Sequence, residues 1–79
     1  MLKFEAEMVR GRVRAWTARA TPDGLTPRFY RIVPHGDGFA LTAPNGGMVV
    51  FRTLEVAIDA AHAEEKLHHR AVRRARGVT

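Results

Sequence analysis

The 79-residue chain has no cysteine and no serine. The first absence removes disulfides, thiolate catalysis and thiolate-ligated zinc. The second, with the first, removes the usual nucleophile of a triad. The hydroxyls that remain, Thr17, Thr21, Thr26, Thr42, Thr53, Thr79 and Tyr30, are scattered through expected strands, turns and the chain end. No apolar run nears the roughly 20 residues that span a bilayer. Met1-Leu2-Lys3-Phe4-Glu5-Ala6-Glu7 has no apolar signal core, so a cytoplasmic protein without membrane contact is expected. No GK[ST] follows the glycines Gly36, Gly38, Gly46 and Gly47, which read as turn residues and not a phosphate loop. No HExxH occurs. His62, Glu65 and His69 share a helical spacing that can approach a ligand set, but no further His or Asp is near, and a metal site is only a minor alternative. Glu64-Glu65 beside Lys66 reads as solvated charge. The expectation is a non-enzymatic protein with no cofactor, no metal and no catalytic residue.

What the chain does have is positive charge. Thirteen Lys and Arg face eight Asp and Glu, a net +5, and eleven of the thirteen are Arg. Residues 1–20 carry +3, residues 21–52 carry +1 and residues 53–79 carry +1. The last third is polarised: Glu55, Asp59, Glu64 and Glu65 come first, then Lys66, Arg70, Arg73, Arg74 and Arg76 with no acid among them. This pattern complements a helix macrodipole. It also makes a basic surface that can neutralise phosphates. Both readings stand at this level. At 46% apolar and 27% charged, the composition is that of one small folded domain over residues 1–79. A chain of this size buries only roughly 60% of its unfolded surface, so its stability is marginal or shared with a partner.

Three turn signals punctuate the middle: Pro22-Asp23-Gly24 with Pro27, Pro34-His35-Gly36-Asp37-Gly38, and Pro44-Asn45-Gly46-Gly47. Between them, 29–33, 39–42 and 48–52 are rich in strand formers. They predict a three-stranded antiparallel meander over residues 27–52. Thr53 is a good N-cap, and 54–75 contains no Gly or Pro, so a long amphipathic helix is expected over 53–76, ending near Gly77. Its apolar side is Leu54, Ala57, Ile58, Ala61, Val72 and Ala75, with an adjoining stripe of Val56, Ala60, Ala63, Leu67 and Ala71. Residues 2–20 read two ways. As a helix, Leu2, Ala6, Val9, Val13, Trp16 and Ala20 align. As a hairpin turning at Arg10-Gly11, Phe4, Ala6, Met8, Val13 and Ala15 share a face and Glu7 opposes Arg14. Gly11 costs a helix interior about 1 kcal/mol. The fold class is α+β, a three- to five-stranded antiparallel meander with a long C-terminal helix.

A two-residue turn at Asn45-Gly46 sets Leu41 opposite Val50, Thr42 opposite Val49 and Ala40 opposite Phe51. A four-residue loop at 35–38 sets Ile32 beside Leu41. One sheet face then carries Tyr30, Ile32, Phe39, Leu41, Met48 and Val50, the other Phe29, Val33, Ala40, Val49 and Phe51. Both are apolar, and one helix covers one face. The second face must meet residues 2–20, a second copy or another partner.

The run Phe29-Tyr30-Arg31-Ile32, Gly38-Phe39-Ala40-Leu41, Met48-Val49-Val50-Phe51-Arg52-Thr53, then Ala57 and Ala60-Ala61, resembles the arm-type DNA-binding domains of phage tyrosine integrases. With a helix at 2–20 it is similar to double-stranded-RNA-binding domains, although Leu54-Glu55-Val56-Ala57 stands where that family has its lysine-rich helix start. The resemblance implies nucleic-acid binding with Arg28, Arg31 and Arg52 as strand cations. Arginine's planar fork suits phosphate and guanine edges, and Trp16, Phe29 and Tyr30 could stack on bases. The candidate contact residues are Arg12, Arg14, Arg28, Arg31, Arg52, Lys66, Arg70, Arg73, Arg74 and Arg76. The alternative is a protein-interaction module, an inhibitor or adaptor from a mobile element, and a homodimer through a sheet face or edge fits either.

Overall fold

The computed structural model describes residues 2–21 and 26–77, with side chains through residue 71. Five strands, β1 (Glu5–Val9), β2 (Arg12–Ala20), β3 (Arg28–His35), β4 (Gly38–Thr42) and β5 (Met48–Phe51), precede one helix, α1 (Leu54–Gly77). The strands form one antiparallel sheet in chain order. The α+β meander and its terminal helix are as the sequence leads one to expect. The Pro22-Asp23-Gly24 turn lies outside the described residues, as do the side chains of Val72 and Ala75.

Residues 5–20 are the hairpin. Arg10 and Gly11 both have positive φ, 53° and 76°, as a two-residue turn matched to strand twist requires. A helix there would have put Gly11 in its interior. The expected opposition of Glu7 and Arg14 does not form. The register shifts between Glu7 and Met8, so Glu7 opposes Ala15, and the irregularity leaves Arg14 without a partner across the ladder. Glu7 instead reaches β3, its Oε2 lying 3.3 Å from Arg31 Nη1. The same shift splits the expected shared face. Ala6 opposes Trp16, which packs on the core, while Ala15 opposes Glu7.

The third turn also departs from expectation. Ala43 N–H donates to Gly47 O and Gly46 N–H to Ala43 O, each at 2.9 Å. The loop is therefore three residues, Pro44-Asn45-Gly46, with Gly46 at φ 89°. Proline suits the first central position of a type I turn, and glycine suits the left-handed residue that closes such a loop. Asn45 Oδ1 accepts from Gly47 N–H at 2.8 Å. One extra loop residue slips the register by one. Leu41 opposes Val49, Ala40 opposes Val50 and Phe39 opposes Phe51. Because side chains alternate, every β5 residue changes face. Val49 and Phe51 join Leu41 and Ile32, while Met48 and Val50 go to the other side. The β3–β4 connection is a two-residue turn at Gly36-Asp37, with Gly36 at φ 56°, and it keeps the expected pairing of Ile32 with Leu41.

Thr53 caps α1, its Oγ1 accepting from Val56 N–H at 3.2 Å. The helix lays Ala57 and Ala61 on the sheet, and the core joins them to Leu2, Ala18, Tyr30, Ile32 and Leu41. Trp16 meets Phe39 edge to face at 5.7 Å between ring centroids. Residues 2–20 belong to the sheet and do not cover its far face. That face is charged toward β1, with Glu7 and Arg31, and apolar toward β5, where Val33, Ala40 and Val50 form one cross-strand row.

Candidate nucleic-acid interface

The centre of the helix–sheet contact is polar. Glu65 follows Ala57 and Ala61 at intervals of four, so it lies on the buried side of α1. Its Oε1 accepts from Arg28 Nε at 2.9 Å and from Tyr30 OH at 3.0 Å. Its Oε2 is buried and has no partner among the described residues. The reading of Glu65 as solvated charge is thus corrected. The signal was in the sequence, since the 57–61–65 spacing places it in the apolar stripe. Burial alone would lower the Arg28 pKa, but its hydrogen bonds to Glu65 and Tyr30 and the carboxylate charge hold it above the ordinary value. Burial raises the Tyr30 phenol, and the neighbouring carboxylate pushes the same way while Arg28 opposes it. Tyr30 is fully buried, so it is a core residue and no stacking surface.

Beside this triad an open cleft of about 560 Å³ lies between α1 and the end of β2. Leu2 and Ala20 give it apolar walls, and Arg19, His62, Lys66 and His69 give it hydrogen-bond donors and positive charge. His62 also packs edge-on against Phe4, 6.2 Å between ring centroids. Among the described residues no group of His, Cys, Asp or Glu converges as metal ligands would. Glu65 lines the same cleft as His62 and His69, but its Oε1 is held by Arg28 and Tyr30. Arg19 extends onto the far face as well, where it opposes Phe29 across the ladder and borders a shallow depression with Lys3. Phe29 is 58% exposed.

The candidate cations do not form one patch. Antiparallel alternation puts the β1–β2 turn at the end of the sheet where α1 begins. Arg12 and Arg14, both exposed, are therefore at one end, and Lys66 and Arg70 toward the other. Arg28 is tied to Glu65 with only 20% of its side chain exposed. Arg31 forms the loose far-face pair with Glu7. Arg52 is exposed between β5 and α1. The side chains of Arg73, Arg74 and Arg76 lie outside the described residues, on the last turns of α1. Arg19 was not among the expected contacts. Its importance comes from the cleft, which joins residues 19 and 66 and leaves no trace in local sequence.

The fold and cleft define a class, a small basic α+β domain of a five-stranded meander backed by one helix. No protein-family model, curated protein or solved structure matches the chain.

Proposed function

We propose that this protein is a non-enzymatic nucleic-acid-binding domain that holds a phosphate backbone at the Arg19–Lys66 end of the molecule. One observation carries the reading. Arg19 from β2 and Lys66 from α1 both line one open cleft, and neither is ion-paired among the described residues. Arg70 continues the positive charge along α1, and the helix then adds Arg73, Arg74 and Arg76 in sequence. A C-terminal run of cations with no intervening acid exceeds what macrodipole complementation needs. Exposed Phe29 beside Arg19 offers an apolar ring on which a base can stack.

Fluorescence anisotropy with generic duplex and single-stranded oligonucleotides at stepped salt tests this. Affinity should fall steeply with salt. The double substitution Arg19→Ala/Lys66→Ala should reduce the logarithmic salt slope by about 2, one for each phosphate contact removed. Arg12→Ala/Arg14→Ala, at the other end, should change it less. Absence of binding by micromolar protein at low salt overturns the proposal.

A further inference from the structure

The described residues expose more large apolar side chains than they bury. Leu2, Tyr30, Ile32 and Leu41 are the large buried ones, whereas eight others are 43–64% exposed. Three of the eight are consecutive in one strand. Met48, Val49 and Val50 occupy β5, an open edge of the sheet, at 58%, 56% and 47% exposure. Val56 and Leu67, at 49% and 64%, lie on one flank of α1 with Ala60 and Ala63 between them. That flank points away from the Ala57–Ala61–Glu65 side that meets the sheet. His62 packs on Phe4, which fixes its own side of the helix toward β1, and the Val56–Leu67 stripe lies roughly 120–140° around the axis from it.

We propose that β5 pairs antiparallel with β5 of a second copy, making one ten-stranded sheet with both helices on the same face. The inference is independent of nucleic-acid binding. An antiparallel pair about a two-fold axis keeps each residue on its own face, so opposed residues must share parity. With the axis at Val49, that residue meets its own copy on the helix side, and Met48 meets Val50 on the far side. Every opposed pair within the strand is apolar. Arg52, the nearest cation, falls opposite Gly46, so two chains of +5 charge meet without a like-charge contact at the edge. Pairing covers the edge backbone and the exposed Met48, Val49 and Val50 of both copies.

The other edge shows why the pairing closes at two copies. β1 carries Glu5 and Glu7 and a register irregularity, devices that block edge-to-edge addition. β5 has no charge, proline or glycine within Met48–Phe51.

Light scattering of the purified protein, free of nucleic acid, should give twice the 8.8 kDa chain mass at micromolar concentration. Val49→Lys places like charges face to face at the axis. It should halve that mass while the circular dichroism spectrum of the fold is kept. Because the chain has no cysteine, single-cysteine variants report the contact directly. Val49→Cys should cross-link under mild oxidation, since opposed strand residues lie within disulfide reach, and Glu5→Cys on the β1 edge should not. A wild-type monomer, a dimer indifferent to Val49→Lys, or cross-linking at residue 5 in preference to residue 49 overturns the proposal.

Discussion

Glu65 and Leu67 are two residues apart on the same helix, and their burial is the reverse of their polarity. Glu65 is 9% exposed and Leu67 is 64% exposed. The two belong to different flanks of the molecule. Toward β1 the helix is closed down by Leu2, Phe4 and His62, and the carboxylate is held by Arg28 and Tyr30. On the opposite side of the helix the Val56–Leu67 stripe is apolar and open, as is the β5 edge of the sheet. A buried charge is tolerable where directed partners meet it, and an exposed leucine is tolerable singly, but three consecutive exposed apolar residues on an edge strand mark a contact surface. Charge guards one edge of this sheet, and its lack exposes the other.

The largest test of the closed flank is Arg28→Ala. It leaves the Glu65 carboxylate buried with Tyr30 as its only partner among the described residues. Unfolding by urea should show a loss of about 3 kcal/mol, at the low end for a broken buried pair because water reaches part of Arg28. A loss within error would mean that Glu65 is solvated and the two flanks do not differ as described.

The open flank depends on the β4–β5 register, and Gly38→Ala tests it. A Cβ at Gly38 would run into the Phe51 carbonyl oxygen and crowd Val50. Rigid backbone cannot yield as a side-chain tip does. The expected loss is about 2 kcal/mol, with faster hydrogen exchange concentrated in β5.

Tyr30→Phe removes one hydrogen bond to Glu65 without changing shape, and should lower stability by about 1 kcal/mol. Its pH signature is more telling. Burial holds the Tyr30 phenol above its ordinary value of 10.0, so the folded chain keeps a proton that the unfolded chain has released. Stability linked to this group is complete below about pH 10 and is lost as pH rises through the folded value. The wild-type protein should therefore lose more stability than Tyr30→Phe across the alkaline range. Tyr30 is the only tyrosine, so phenolate absorbance reads its titration directly, and a midpoint at or below 10.0 would contradict the closed flank.

The smallest expected change is a gain. Arg10 is the only residue other than glycine with positive φ among the described residues, and arginine there carries strain. Arg10→Asn, a better first residue for this turn, should raise the free energy of unfolding by about 0.5 kcal/mol and leave both flanks unaltered.

Much of the architecture was legible in the chain. Strand formers between Gly- and Pro-rich turns marked β3, β4 and β5, and Thr53 followed by a run without Gly or Pro marked α1. These are local signals, fixed by backbone preference within a few residues. Residues 2–20 stayed ambiguous because their apolar residues fit both periods, and the positive φ that Arg10 and Gly11 adopt decided for the hairpin. The β5 face was misassigned by a single residue. Asn45-Gly46 fits a two-residue turn, but Pro44 in front of it favours the three-residue loop, and alternation converts that slip into a reversal of the whole strand. Of the basic surface, the polarity of the helix was readable from Lys66 onward. The ion pair of Arg28 with Glu65 and the cleft shared by Arg19 and Lys66 were not, because neither involves neighbours in sequence.

Sequence by itself determined the three strands of residues 27–52 and the terminal helix, the excess of arginine and the absence of thiol and serine side chains. These follow from composition and short-range periodicity. Tertiary structure alone decided that a glutamate is buried while a leucine two positions on is not, that Arg19 shares a cleft with a distant helix, and that one sheet edge is charged and the other bare. Each is set by which segments meet across the sheet, and a one-residue change in loop length is enough to redistribute them.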